Sequence, residues 1–332
     1  MIKNYLHKLS QHLWYGNTKL SKLLLPFSYV YKLIFKLRTF IIKRFFCWQA
    51  KVPIIVVGNL TVGGVGKTPL VIAIANYYTQ QGLKVGIVSR GYGARGCKFP
   101  HLVTKEDSAK LVGDEPLLIA RSTNCKVMIA PLRVLAVKEL LKRFSIDLII
   151  SDDGLQHAFL ARKIEIVVID SERLFGNGYL LPAGPLREPI TRLKTVDFIV
   201  FNGNTTLTRE LHFPSYLMQI KPCSLKSIKT GQEVMLASLK DNLFTAIAGI
   251  GHPQRFFASL KLLGLQNFTA TIFPDHYAYK EAQLAKIEGP LVMTEKDAIK
   301  CMSFAKDDWY SLGIELTISD EFWAHLTQQI YL

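Results

Sequence analysis

Gly66, Lys67 and Thr68 close the stretch TVGGVGKTP, which follows the apolar run VPIIVVGN. A glycine-rich loop between a strand and a helix, ending in Lys-Thr, wraps phosphate: backbone N–H groups and the helix start hold the anion. Thr61, Val62, Gly63, Gly64, Val65, Gly66, Lys67 and Thr68 make up this loop. Lys67 is expected to reach the β and γ phosphates of a nucleotide, and the Thr68 hydroxyl to face Mg2+. The usual pattern opens on glycine where this chain has Thr61, but Gly63 and Gly64 still let the backbone close on a phosphate. Such a loop calls for an acid at the end of another strand. IDLIISDDGLQH supplies Asp152 and Asp153 after an apolar run. Two adjacent carboxylates suit Mg2+, which takes oxygen ligands and keeps several waters. The plainer alternatives are a glycine turn with an exposed lysine and a solvated Asp-Asp-Gly turn. The two motifs together weigh against both.

The elements that must hold these residues alternate. Short apolar runs at 52–58, 84–89, 126–130, 147–151, 165–170 and 196–201 predict buried parallel strands, with helices from Pro69 to Gln80 and near 131–143. This pattern predicts an α/β fold: a P-loop NTPase-like parallel sheet with helices on both faces. Residues 202–242 are polar and turn-rich, a connection with some strand. A second alternating block follows, with strands at 243–250, 268–273 and 290–295 and helices near 253–263 and 280–287. The expected organisation is a phosphate-loop domain over 51–205 and a smaller α/β domain with its connecting segment over 206–332. In open α/β sheets ligands lie beyond the carboxyl ends of the strands. Loops 58–68, 89–96, 113–116, 152–157 and 171–189 are therefore the candidates.

Charge singles out the N-terminal third. The formal net charge is +15, yet residues 1–105 contain 16 Lys and Arg and not one Asp or Glu. The whole excess belongs there and predicts an anionic surface as partner. Residues 1–50 interleave Lys and Arg with Leu, Ile, Phe, Tyr and Trp. No apolar stretch reaches the roughly 18–20 residues that span a bilayer, and no signal peptide is evident. On a helix over 27–46, Lys32, Lys36, Lys43 and Arg44 share an arc of about 120°. Phe27, Tyr31, Ile34, Phe35, Ile41, Ile42, Phe45 and Phe46 lie opposite, with Arg38 interrupting them and Leu33, Leu37 and Phe40 diluting the basic side. This predicts an amphipathic membrane-interface helix, with Pro26 in its first turn. A helix packed on the domain with solvated charges is the alternative. The apolar side is too continuous for a groove-binding helix, so nucleic acid is not expected. Cys47, Cys97, Cys125, Cys223 and Cys301 lie far apart and suggest neither zinc nor a disulfide framework, so reduced cytosolic thiols are expected.

GNLTVGGVGKTP, SRGYG, GDEP, SDDGLQH, FGNGYLLPAGPLREP, FPDHYAY and MTEKDA occur in an order that resembles the tetraacyldisaccharide 4′-kinase family of lipid A biosynthesis, over roughly residues 13–303. Thr61 in place of glycine is the form that family's loop takes. The resemblance implies transfer of the γ-phosphate of ATP, with Mg2+, to the 4′-hydroxyl of an acylated disaccharide 1-phosphate at the cytoplasmic face of the bacterial inner membrane. It implies an acid–base pair of Asp114 and His276, and acceptor contacts by Arg90, Gln156, His157, Arg187 and Glu188. ATP in preference to GTP rests on the resemblance alone. By sequence alone Asp114 is also a possible helix cap before Pro116, His276 a turn histidine, and Arg90, Arg187 and Glu188 solvated loop charges. His252 in GIGHPQRF is a second histidine candidate. A membrane-bound nucleotide switch is the main rival, but it has no need of GPLREP or of the pair. A soluble metabolite kinase leaves the N-terminal helix without a purpose.

Overall fold

The computed structural model describes residues 2–16, 19–205, 214–240 and 242–332. Residues 206–213, which open the expected C-terminal domain, lie outside them. Two N-terminal helices, α1 (Ile2–Tyr15) and α2 (Leu25–Phe45), precede β1 (Ile54–Gly58), α3 (Lys67–Gln80), β2 (Val85–Ser89) and β3 (His101–Val103). Next come α4 (Ala109–Val112), α5 (Asp114–Ser122), β4 (Lys126–Ile129), α6 (Arg133–Arg143), β5 (Leu148–Asp152), β6 (Ile164–Asp170) and β7 (Phe198–Asn202). The chain continues through β8 (Ser215–Ser227), β9 (Glu233–Val234), α7 (Ala237–Lys240), β10 (Phe244–Ala248), α8 (Pro253–Leu262) and β11 (Phe268–Ile272). It ends with α9 (Glu281–Leu284), β12 (Leu291–Thr294), α10 (Glu295–Cys301), β13 (Trp309–Ile318) and α11 (Asp320–Tyr331).

Among the described residues one sheet runs β11-β10-β12-β13-β8-β7-β6-β1-β5-β2-β4-β3. From β7 to β4 neighbouring strands are parallel, and β1 sits between β6 and β5. Strands β11, β10, β12 and β13 form a second parallel set. The 13-residue β8 joins the sets, parallel to β7 and antiparallel to β13. The sequence pattern offered only "some strand" for this segment, because its residues alternate weakly and include Pro222. The register slips between Gly313 and Ile314, opposite the stretch from Ser224 to Pro222. A bulge is where a strand tolerates a proline.

Period-two burial explains the layering. Ile55 and Val57 of β1 pack with Leu70, Val71 and Ile74 of α3, whereas Ile54 and Val56 face Val134, Val137 and Leu140 of α6. The second set has its own clusters: Phe256, Phe257 and Leu260 of α8 on one side, Ala298 and Cys301 of α10 on the other. Helix α11 returns to the first half, where Phe322, Leu326 and Ile330 join the α3 cluster and Trp323 stacks on Tyr77 with centroids 4.2 Å apart.

Helix α2 differs from the expected two-sided pattern. Tyr31, Phe35 and Ile42 turn toward the body, where Tyr31 Oη donates to Arg187 O at 2.9 Å and Ser28 Oγ to Leu180 O at 2.8 Å. Phe27, Ile34, Ile41 and Phe45 stay exposed, together with Leu33, Leu37 and Phe40. Lys32, Lys36 and Lys43 line a groove of about 1010 Å3 between α2 and the body. The outward face is thus more apolar than the helix projection suggested. No described helix is long and apolar enough to cross a membrane.

Candidate active site

The phosphate loop leaves β1 at Asn59. Thr61 bridges Leu186, Val62 N donates to Pro185 O at 2.9 Å, and Arg187 N donates to Leu60 O at 2.7 Å. The GPLREP segment is therefore laced to the start of the loop, and Thr61 serves that junction. Val65 is anchored in the core, and Asn202 Nδ2 holds its carbonyl at 3.0 Å. Gly66 turns the chain into α3 at φ +93°, where a Cβ would lie 2.5 Å from Asn202 Nδ2. Only glycine meets both demands. Added Cβ atoms at Gly63 and Gly64 would meet nothing within 4 Å, so this side of the loop is open. Lys67 Nζ donates to Asn59 Oδ1 at 3.0 Å and pairs with Asp153 Oδ1 at 3.2 Å. Thr68 is half-buried in the first turn of α3.

The two acids have different surroundings. Asp152 ends β5 with 1% exposure. Its Oδ2 accepts from Ser89 Oγ at 3.3 Å, and its buried Oδ1 has no hydrogen-bond partner. Burial, then the charges of Glu115 and Asp153, push its carboxyl up to about 7. Asp153, at φ +46°, pairs with Lys67 and, at 3.4 Å, with Arg187. Burial alone would raise it, but the Lys67, Arg187 and Arg133 charges hold it far below the ordinary carboxylate range. An orphaned buried carboxylate oxygen fits a divalent cation. No described cluster of three His, Cys, Asp or Glu side chains forms a full metal cage. Mg2+ needs none, since it is held through one or two carboxylates plus phosphates and water.

Arg90, Arg187, Gln156 and His157 come together around a cavity of about 280 Å3, with Arg38 of α2, Arg133 and Asp153. Gln156 Nε2 donates to Asn59 O at 3.1 Å and to Glu188 Oε1 at 2.7 Å, which ties this wall to the phosphate loop. His157 is driven down to about 3, first by burial and then by the surrounding arginines, so its ring is neutral at physiological pH. Glu188 is buried and pairs with Arg192 at 3.3 Å, so it stands in the wall between the cavity and the α2 groove.

Asp114 and His276 meet. His276 Nδ1 lies 2.9 Å from Asp114 Oδ2 and 3.1 Å from Oδ1, joining the start of α5 to the loop after β11. Gly113 turns into α5 at φ +91°, where a Cβ would strike Tyr92 O at 2.4 Å. His276 sits at φ +58° with its own N–H donated to Asp275 Oδ1 at 3.0 Å, and its ring lies 5.1 Å from that of Tyr92 in SRGYG. Burial would raise Asp114, but the His276 hydrogen bond and the Lys296 charge outweigh it and hold the carboxyl down at about 2. For His276 burial acts downward and is the largest influence, but the Asp114 hydrogen bond together with the Asp114 and Asp275 charges outweighs it, leaving the imidazole above its usual 6.5. His252 is not part of this pair. Its Nε2 lies 3.6 Å from Glu172, in a network where Arg255 grips Asp170 with two contacts of 3.0 Å. The neighbouring Gly251 closes on the phosphate loop: its Cβ would lie 3.1 Å from Gly64 N.

Motif reading missed Asn59, Arg38, Arg133, Asn202, Asp275 and Lys296. Asn59, Asp275 and Lys296 lie inside the stretches GNLT, FPDHYAY and MTEKDA, so those motifs carried the signal without saying which side chain turned inward. Arg38 and Asn202 carried none, since they arrive through α2 docking and the β6–β7 pairing.

A family model described as LpxK, tetraacyldisaccharide-1-P 4'-kinase, matches residues 20–331. A tetraacyldisaccharide 4'-kinase of Legionella pneumophila (strain Corby) is 50% identical over 315 residues, 94% of each chain. One from Haemophilus influenzae (strain 86-028NP) is 44% identical over 313 residues, 92% of this chain and 91% of that one. The crystal structure of an LpxK from Aquifex aeolicus in complex with ATP is similar with a TM-score of 0.78 and 29% identity, covering 94% of this chain and 100% of that one. Sequence and fold thus agree along almost the full length, and the chain belongs to the tetraacyldisaccharide-1-P 4'-kinase family, LpxK.

Proposed function

We propose that this protein transfers the γ-phosphate of ATP to the 4′-hydroxyl of a tetraacyldisaccharide 1-phosphate, giving lipid IVA and ADP, while seated peripherally on the cytoplasmic face of the bacterial inner membrane. The observation that carries the reading is the Asp114–His276 hydrogen bond of 2.9 Å, made between the two halves of the sheet beside an open phosphate loop. A hydrolytic switch has no use for such a pair, whereas a sugar hydroxyl is a poor nucleophile until a base takes its proton.

Backbone N–H groups of the loop and the start of α3 hold the donor phosphates. Lys67, already charge-compensated by Asp153, stabilises negative charge on the transferring group. With Nδ1–H committed to Asp114, His276 presents Nε2 as the acceptor, and Asp114 steadies the imidazolium that forms. The sugar oxygen gives up its proton, the new O–P bond forms, and the β–γ bridging bond breaks to release ADP. Thr68 and Asp152 would hold Mg2+, which supplies charge neutralisation on the phosphates when bound. Arg90 and Arg187 suit an anionic acceptor through their forked donors, and Gln156 and His157 suit its sugar. The exposed Leu33, Leu37 and Phe40 of α2, flanked by lysines, suit an anionic bilayer interface.

The test is [γ-32P]ATP with tetraacyldisaccharide 1-phosphate in mixed micelles. Label should move to lipid, and Lys67→Ala should lose nearly all transfer while keeping its circular dichroism spectrum. Label released to water at the same rate with and without the lipid would overturn the reading.

A further inference from the structure

Lys296 is the second residue of α10, a helix whose start is fixed on both sides. Thr294 caps it by accepting the Asp297 N–H at 3.1 Å. The fully buried Asp297 anchors the helix start, accepting from Gly249 N at 2.9 Å and Tyr279 Oη at 3.1 Å. Lys296 has partners of its own. Its Nζ lies 3.0 Å from Glu115 Oε1, 3.6 Å from Asp275 Oδ1 and 4.0 Å from Asp114 Oδ2. Glu115 and Asp114 belong to α5 in the first half, and Asp275 belongs to the loop of His276 in the second. A desolvated ammonium is costly unless paired, and three carboxylates around one lysine compensate it.

We propose that Lys296 is a positioning residue for the acid–base pair: it ties Glu115 and Asp114 to Asp275 and so holds Asp114 against His276 across the two halves. This rests on the reading that the pair takes up the acceptor proton. The groups facing His276 are Asp114 from α5, Tyr92 from the loop after β2, Asp275 from its own loop, and Lys296 from α10, whose ammonium also pairs with Glu115, with Lys300 acting on Asp114 from one turn further. Without Lys296 three carboxylates face one another with His276 as the nearest cation. The imidazolium is then favoured, and the halves repel where they should meet. The charge of Lys296 opposes protonation of His276, which agrees with this sign.

The experiment is Lys296→Met, with Lys296→Gln as a second variant in case the first folds poorly, and Lys296→Arg as the charge-retaining control. Two readouts apply: the pH profile of kcat for lipid phosphorylation, and the NMR titration of His276. In Met and Gln variants the acid limb and the His276 titration should both move up by about one pH unit, the low end for one charge removed from about 4–6 Å. Activity should fall several-fold at pH 7 and much less at pH 9, with KM for ATP little changed. Arg should restore both midpoints. A His276 titration that stays in place in folded Met and Gln variants overturns the proposal, whatever the activity. His276→Ala retaining the wild-type acid limb would instead refute the pair as base, and the NMR arm would still decide the role of Lys296.

Discussion

Replacing Asp114 by Asn keeps the shape of the pair and removes its charge. The Asp114 carboxyl is held at about 2 against an ordinary 3.8, and the side chain is 7% exposed, so solvent screens it little. At 1.36 kcal/mol per pKa unit, the charged form gains about 2 kcal/mol from its surroundings. The carboxylate is depressed, so this stability is present above about pH 4 and is lost as pH falls through about 2. The partner has the opposite sign. His276 is raised above 6.5, so its share is fully present below that value and is lost as pH rises through the folded-state value. The Asp114–His276 bond is one interaction seen from both sides and is counted once, and only this share of the Asp114 shift changes between pH 6 and 9, since the Lys296 and Lys300 charges hold the carboxyl down at both. In the Asn variant Asp275 alone, the weakest of these influences, is left to oppose burial and the Lys296 charge, and His276 should titrate lower than in wild type. Urea unfolding should therefore show a gap of about 2 kcal/mol between wild type and Asp114→Asn at pH 6, narrowing toward pH 9. NMR should show the His276 midpoint falling. A gap that stays constant from pH 6 to 9, or a His276 midpoint unmoved by the substitution, would refute the assignment of this bond as an ion pair.

Reversing Lys32, Lys36, Lys43 and Arg44 to Glu should release the protein from anionic vesicles, at roughly 1 kcal/mol per residue. Unchanged sedimentation with vesicles would mean these charges are merely solvated. Gly66→Ala should destabilise by roughly 1–3 kcal/mol, from a left-handed backbone and the approach to Asn202, and should weaken ATP binding. A melting temperature and an ATP affinity equal to wild type would show that the loop does not adopt this turn.

The parts of the site that a reader of the sequence could name are those written in contiguous letters. The phosphate loop and the Asp152–Asp153 pair sit where strand ends and glycine punctuation put them, whereas Arg187 and Glu188 take their role from the family likeness. Asp114 and His276 were named through family likeness, and their separation of 162 positions hides the contact from any local pattern. Lys296 was hidden differently. It looks like an exposed charge on a short helix until Glu115, Asp114 and Asp275 are found around its ammonium. Strand β8 was understated because Pro222 and its polar neighbours weaken alternation, and its partner β13 lies more than eighty residues on. The inward turn of Tyr31 and Phe35 depends on docking against residues 180–187, which no helix projection contains.

That docking has a mechanical consequence. Ser28 and Tyr31 of α2 bond to Leu180 and Arg187, and the same short segment bonds through Pro185 and Leu186 to Val62 and Thr61. One strut therefore carries both the helix proposed to rest in the bilayer and the loop proposed to carry the donor phosphate. With α2 seated, the altitude of the γ-phosphate over the headgroups is set by a rigid spacer, not by a tether. A lipid acceptor would be phosphorylated at a fixed height, its acyl chains left in the leaflet and only its sugar lifted to the site.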